Sequence, residues 1–330
     1  MNARKEVYIM ENFVFSLNAT MPVFFVMVAG YLLKKANILD DNFVNVSNKF
    51  NFKFTLPILL IVDLGTSDFS SMWDTKYVIF CFGVTLLCIL LALLIAFTVF
   101  KDKTYKGEFV QSSYRGSAAV LGIAYMQNIY GSAGMIPLMM LGAVPLYNIA
   151  AVIILTIMDP SKKDDRDSGK RLTELLKDTV AGIITNPIII GIVVGFLISV
   201  FKISLPQIVN KTLGYFADIS TPLALVSLGA GFELKEIVGQ IKPVITASFF
   251  KLVLQPLIFL PVAAAFGYHD EKMAALIIML GAPSTVSTYV MSKNMGHEGV
   301  VSSGCIVVTT LFSSLTITLC IFALKSLGLL

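Results

Sequence analysis

The chain has 330 residues, of which 14% are charged and 56% apolar, and its mean hydropathy is +0.81. A soluble domain carries about 25% charged residues, so a water-soluble fold of this composition would expose more apolar surface than water tolerates. A net charge of +4 spread over the whole chain excludes a nucleic-acid binder, which needs clustered cation. The four cysteines, Cys81, Cys88, Cys305 and Cys320, all sit inside apolar runs, which excludes a disulfide-built secreted domain and marks them as free thiols packed as small hydrophobes.

In chain order, the apolar runs predict ten transmembrane helices, an all-α integral membrane protein. Residues 12–33 lack charge, exceed a signal-peptide core and form span 1. Span 2 covers about 44–66 and span 3 covers 77–100. Residues 116–158 form a charge-free run of 43, too long for one crossing of ~20 residues. The stretch Gly131-Ser132-Ala133-Gly134 divides it into spans 4 and 5. The polar segment 159–178 follows, and then come span 6 (179–201), span 7 (206–231), span 8 (240–265), span 9 (273–292) and span 10 (299–324). Of the 25 Lys and Arg, four lie within spans. With the N-terminus outside, fourteen fall in cytoplasmic loops and seven in outer segments. The positive-inside bias therefore places both termini outside and 159–178 in the cytoplasm.

Half the chain length is 165 residues, and that offset maps Pro22 onto Pro187, Gly30 onto Gly195, Pro57 onto Pro222, Gly116 onto Gly281, Gly131 onto Gly296 and Gly134 onto Gly299. Proline and glycine set backbone geometry, so their recurrence predicts two copies of a five-helix unit, 1–158 and 179–330. Five is odd, so the second copy enters from the opposite face. Inverted repeats of this kind characterise secondary transporters.

Span 9 contains Gly281-Ala282-Pro283-Ser284-Thr285-Val286-Ser287-Thr288, a proline among small hydroxyl residues at mid-membrane. Its repeat mate in span 4, Gly116-Ser117-Ala118-Ala119, keeps the small residues without the proline. Corresponding interruptions in two halves point to a midplane substrate site. Span 5 adds Pro145-Leu146-Tyr147-Asn148, a Tyr-Asn pair that must be bonded inside hydrocarbon. Lys53 maps by the same offset onto Asp218, each four residues before a paired proline, so these two are expected to form an intramembrane ion pair. Asp63 lies near the outer end of span 2, and Lys251 falls about the middle of span 8. Arg115 stands at the cytoplasmic start of span 4, where a long side chain can snorkel to the interface.

The segment Thr185-Asn186-Pro187-Ile188-Ile189-Ile190-Gly191, with Gly195, Leu205-Pro206 and Thr221-Pro222-Leu223-Ala224-Leu225 through Leu228-Gly229, resembles the auxin efflux carrier family. Phe54-Thr55-Leu56-Pro57, Arg115-Gly116 and Ala282-Pro283-Ser284 extend the resemblance over nearly the whole chain. Bacterial members look like permeases for malate, malonate and similar anions. The resemblance implies a scaffold of spans 1, 2, 6 and 7, a mobile transport domain of spans 3–5 and 8–10, and an elevator-like slide. Spans 4 and 9 would cross where they break. The family often carries Asn and Pro where this chain has Ser117 and Ala118. Broken helices present amides and positive dipole ends that favour an anion. The substrate site is accordingly expected at the crossing, lined by Ser117, Ala118, Pro283, Ser284 and Thr285, with Tyr147 and Asn148.

The function expected is secondary transport of small organic anions, dicarboxylate- or auxin-like carboxylates, across the plasma membrane, proton-coupled or uncoupled, with a possible homodimer through the scaffold. The alternatives are a sodium-coupled symporter of the bile-acid type and a sensor built on a transporter fold. An enzyme is not expected, because the two histidines, His269 and His297, fall in loops and no HExxH, GxSxG or GxxxxGK[ST] motif occurs. No cofactor, metal or nucleic-acid partner is expected.

Overall fold

The structure is a computed structural model that describes residues 14, 21–65, 73–102, 104–117, 125–126, 130, 134–160, 181 and 184–330. Ala118, the break expected at 131–133 and most of the central loop lie outside the described residues. Among those described, the regular elements are all helical. They are α1 (21–35), α2 (Asp41–Phe50), α3 (Leu56–Gly65), α4 (Thr75–Val99), α5 (Lys106–Tyr114), α6 (Ile136–Ile157) and α7 (Pro187–Val200). There follow α8 (Gln207–Ala230), the short α9 (Leu234–Gly239), α10 (Ile241–Phe249), α11 (Gln255–Ala265), α12 (Asp270–Gly281), α13 (Ser287–Asn294) and α14 (Val300–Ser326). Five stretches are long and apolar enough to cross a bilayer: α4, α6, α8, Ile241–Ala265 and α14. The protein is thus a multi-pass membrane protein.

Two predicted spans are continuous but widened. Single π turns, Asn51–Thr55 and Phe250–Leu254, join α2 to α3 and α10 to α11. Each ends two residues before a proline, Pro57 or Pro256. A proline ring inside a helix clashes with the carbonyl four residues back and removes a donor. A π turn inserts one residue and relieves that clash. Two other spans are broken outright. Ala282 is extended (φ −63°, ψ 147°), as the residue before a proline prefers, and ends α12. Arg115 is also extended (φ −76°, ψ 132°) and ends α5.

The start of span 4 is a correction to the sequence reading. Charge-free length put it at Gly116, but α5 already runs from Lys106 to Tyr114 and all nine of its residues are buried. Glu108 hides its charge there by accepting the amides of Gly299 (2.8 Å) and Ser302 (3.0 Å) at the start of α14. The positive end of a helix favours a carboxylate. Arg115 therefore stands at an internal break rather than at a solvated helix end.

Close packing rests on glycine. A β-carbon on Gly191 of α7 would lie 2.7 Å from the Pro57 carbonyl oxygen, and one on Gly195 would lie 2.9 Å from that of Leu60 and 3.0 Å from Ile61 Cα. On α1 and α8, Gly30 abuts the Val226 carbonyl and Gly229 abuts that of Met27. The offset that carries Gly30 onto Gly195 also carries Ile61 onto Val226, so the two contacts correspond. Small residues are what let helix backbones approach in hydrocarbon.

The buried apolar side chains form two clusters. The larger gathers α4, α5, α6, α10, α11, α12 and α14, with Tyr77, Met139, Val244, Met279 and Ile317 among its members. The smaller gathers α1, α3, α7, α8 and α13 around Met27, Leu60, Ile192, Leu228 and Tyr289, and reaches Ala151 and Leu155 of α6. Apolar side chains such as Leu90, Leu94, Ile190, Val193 and Phe249 face outward, as a lipid-facing surface requires. At one end, Lys272 of α12 pairs with Asp74, the N-cap of α4, at 2.6 Å.

Gly191→Val should force the Pro57 backbone away and lower stability by about 1–3 kcal/mol, the range for overpacking. A fall in the melting temperature of the detergent-solubilised protein checks this, and Gly83→Val, in open space, is the neutral control.

Candidate functional site

The two broken helices meet. The Ser117 amide donates to the Pro283 carbonyl at 2.8 Å, joining the end of the α5 break to the α12–α13 break. Beside this contact lies a cavity of about 110 Å³. Its polar wall is Arg115, Gly116 and Ser117 after α5, Tyr147 and Asn148 of α6, and Thr285 and Ser287 at the start of α13. Its apolar wall comes from Leu56, Leu59 and Leu60 of α3, Val144 of α6, Ile188 of α7 and Ala224 of α8, with Asp63, Ser220 and Thr221 adding polar groups.

Arg115 dominates the polar wall. It is 3% exposed. One terminal nitrogen, Nη2, donates to Asn148 Oδ1 (2.8 Å) and Ser287 Oγ (2.9 Å), and Nη1 donates to the Met291 sulfur (2.7 Å). Its Nε has no partner. Among the described residues, no carboxylate pairs with this guanidinium. A buried charge held only by neutral groups is incompletely compensated, which costs several kcal/mol. A guanidinium in that condition has spare donors for an anion and the fork geometry to hold a carboxylate with two bonds.

The supporting bonds fix the neighbours. Asn148 Nδ2 donates to Val144 O (2.9 Å), which turns its oxygen toward Arg115. Thr285 Oγ1 and Ser287 Oγ share a hydrogen bond of 3.2 Å. Tyr114 Oη donates to Tyr147 O (3.1 Å), and Tyr147 Oη donates to Met279 O (3.3 Å). A Tyr-Asn pair inside a charge-free run is therefore bonded, as hydrocarbon demands.

The structure brings together Ser117, Tyr147, Asn148 and Thr285 on one cavity, with Pro283 bonded to Ser117 at its edge. Ser284 is not on the cavity wall; its amide donates to Thr309 Oγ1 (2.9 Å), and its buried hydroxyl has no partner. Lys53 and Asp218 are both exposed, and no ion pair joins them. The expected pair is not formed. The π turn at Asn51–Thr55 changes the helical register just where Lys53 stands. The contact between spans 2 and 7 at this depth is polar but neutral: Asn51 Nδ2 donates to Ser220 O (2.7 Å), and Ser220 Oγ donates to Asn51 Oδ1 (2.9 Å). Sequence reasoning missed Arg115 and Ser287 as site residues. The signal available was the placement of Arg115 directly before Gly116, a glycine that the half-length offset pairs with Gly281 at the other break.

The family described as membrane transport protein matches residues 15–321, nearly the full chain. The chain belongs to the auxin efflux carrier family. This is a family of transporters, not of enzymes. Among similar proteins is an uncharacterized transporter of Methanocaldococcus jannaschii, 24% identical over 92% of this chain and 97% of that one. The uncharacterized transporter YfdV of Escherichia coli is 20% identical over 84% of this chain and 88% of its own. A Rhizobium meliloti protein named "Putative malonate transporter" is 20% identical over 93% of this chain and 95% of its own.

Arg115→Gln keeps hydrogen-bonding capacity and removes the charge. If small carboxylates raise the melting temperature of the wild-type protein through this cavity, the variant should need at least about 10-fold more anion for the same rise, the loss of a charge-assisted bond being worth about 1.5–3 kcal/mol.

Proposed function

We propose that the protein is a secondary carrier of small organic anions, taking dicarboxylates or auxin-like carboxylates at the crossing of the two broken helices. The observation that carries this reading is Arg115: a buried guanidinium with no acidic partner among the described residues, on the wall of a cavity at that crossing. Its hydrogen-bond neighbours include hydroxyl and amide groups suited to orienting a carboxylate, and Asp63 stands on the α3 side of the same cavity. A site built this way can also release its ligand. The name of the Rhizobium meliloti relative points to the same chemical class.

In this reading the chain crosses the plasma membrane ten times as two inverted five-helix repeats, with both termini outside. The corresponding glycine contacts, Gly30 with Val226 and Gly195 with Ile61, support the repeat. Spans 1, 2, 6 and 7 form the scaffold, and a homodimer through them belongs to the same reading. Spans 3–5 and 8–10 form the domain that slides; α4, α5, α10, α11, α12 and most of α14 share the larger cluster, while α13 and part of α6 pack against the scaffold helices. The cavity then lies where the two meet, since its apolar wall comes largely from α3, α7 and α8 and its polar wall from α6 and the two breaks. A slide of one wall past the other alternates access, with proton coupling or with none.

Reconstituted in liposomes, the wild-type protein should take up labelled malonate or malate, and Arg115→Gln should lower the rate at least about 10-fold. Absence of uptake across a panel of mono- and dicarboxylates, in either direction and with or without a proton gradient, would overturn the reading. For orientation, a cysteine placed at Ser168 should react with an impermeant maleimide only after the membrane is permeabilised. Reaction from outside intact cells would reverse the topology.

A further inference from the structure

Lys251 is fully buried in the π turn Phe250–Leu254. Its Nζ lies 3.0 Å from the carbonyl oxygen of Met279, 3.3 Å from that of Tyr114 and 3.4 Å from Gln255 Oε1. All three neighbours are acceptors, which matches the three donors of an ammonium and leaves no partner for an amine lone pair. Two of them are terminal carbonyls of broken helices: Tyr114 is the last residue of α5, and Met279 lies in the last turn of α12. Gln255 completes the arrangement by donating from Nε2 to the Ser113 carbonyl (2.8 Å). Gly116 makes room for it: a β-carbon there would stand 3.0 Å from Nζ.

A helix C-terminus carries about half a negative charge and up to four unpaired carbonyls. Two such ends meeting inside a bilayer form an oxygen-lined pocket of the kind that holds an alkali cation. We infer that the Lys251 ammonium is a tethered cation occupying this pocket, in the place a bound sodium or potassium ion would take, so that the crossing is neutralised by the chain itself and the protein works without an alkali cation. The transport part of this inference rests on the carrier reading above; the stability part does not.

The test uses the purified full-length protein. Lys251→Ala empties the pocket and leaves its oxygens in place, whereas Lys251→Met fills the stem volume without charge. In choline chloride both variants should melt at least about 4 °C below wild type. Sodium, potassium or methylammonium chloride at equal ionic strength should restore Lys251→Ala in a saturable manner and should leave Lys251→Met and wild type unchanged. A Lys251→Met protein as stable as wild type would overturn the inference, and so would a Lys251→Ala protein that is indifferent to the cation. Lys251→Met keeps the test decisive where Lys251→Ala yields no folded protein. In liposomes, wild-type anion uptake should be equal in sodium, potassium and choline media. Uptake that requires sodium would overturn the tethered cation while leaving the anion carrier intact. No uptake in any medium would overturn the carrier and leave the melting experiment to judge Lys251.

Discussion

A bilayer offers no water to a freed backbone group, so every interrupted helix inside it must find partners within the protein. That constraint organises the crossing. Two helices stop there, α5 at Tyr114 and α12 at Gly281. The groups they release are taken up by Lys251, Gln255, the Tyr147 hydroxyl and the Thr309 hydroxyl, and by the Ser117–Pro283 contact between the breaks themselves. These side chains come from spans 5, 8 and 10. The crossing therefore ties several spans together through side-chain and backbone bonds.

Charge is distributed around this centre by the same logic. Glu108 sits on the positive start of α14 and Lys251 on the negative ends of α5 and α12, so each faces backbone dipoles of the complementary sign. Arg115 differs. Its contacts are two neutral oxygens and a sulfur, and its Nε is unpartnered. Of Glu108, Lys251 and Arg115, Arg115 is the one on the cavity wall. This is why the functional reading turns on Arg115 and the structural inference on Lys251.

The glycine contacts set a different kind of limit. Where Gly191 and Gly195 meet α3, and Gly30 and Gly229 lie at the α1–α8 contact, backbones touch with no side chain between them. Such contacts favour a rigid pairing. The smaller cluster holds these pairs, and the crossing is shared, with Tyr114 and Ala282 in the larger cluster and Val286 and Tyr289 in the smaller. The cavity lies between these glycine-packed helices and the broken ones.

Much of the fold was legible in the sequence because hydrocarbon imposes simple rules on length and charge. Apolar length marked α4, α6, α8, Ile241–Ala265 and α14, Pro283 marked the break after α12, and the small residues around Gly116 marked its partner. Ser117, Tyr147, Asn148 and Thr285 could be gathered from the rule that polar groups at mid-membrane need a reason. The charged residues could not be placed the same way. Arg115 was read as a snorkelling helix end because the charge-free run begins only at Gly116, and only the fold shows Glu108 capping a helix nearly two hundred residues away. Lys53 and Asp218 match in sequence offset, but a π turn resets the face on which Lys53 emerges. Sequence by itself determined five of the segments that are long and apolar enough to enter the membrane and where two helices break, since both follow from local chemistry along the chain. Which buried charge meets a helix end, and which is left facing a cavity, was decided only by tertiary structure, because electrostatic compensation at a buried site comes from groups remote in sequence.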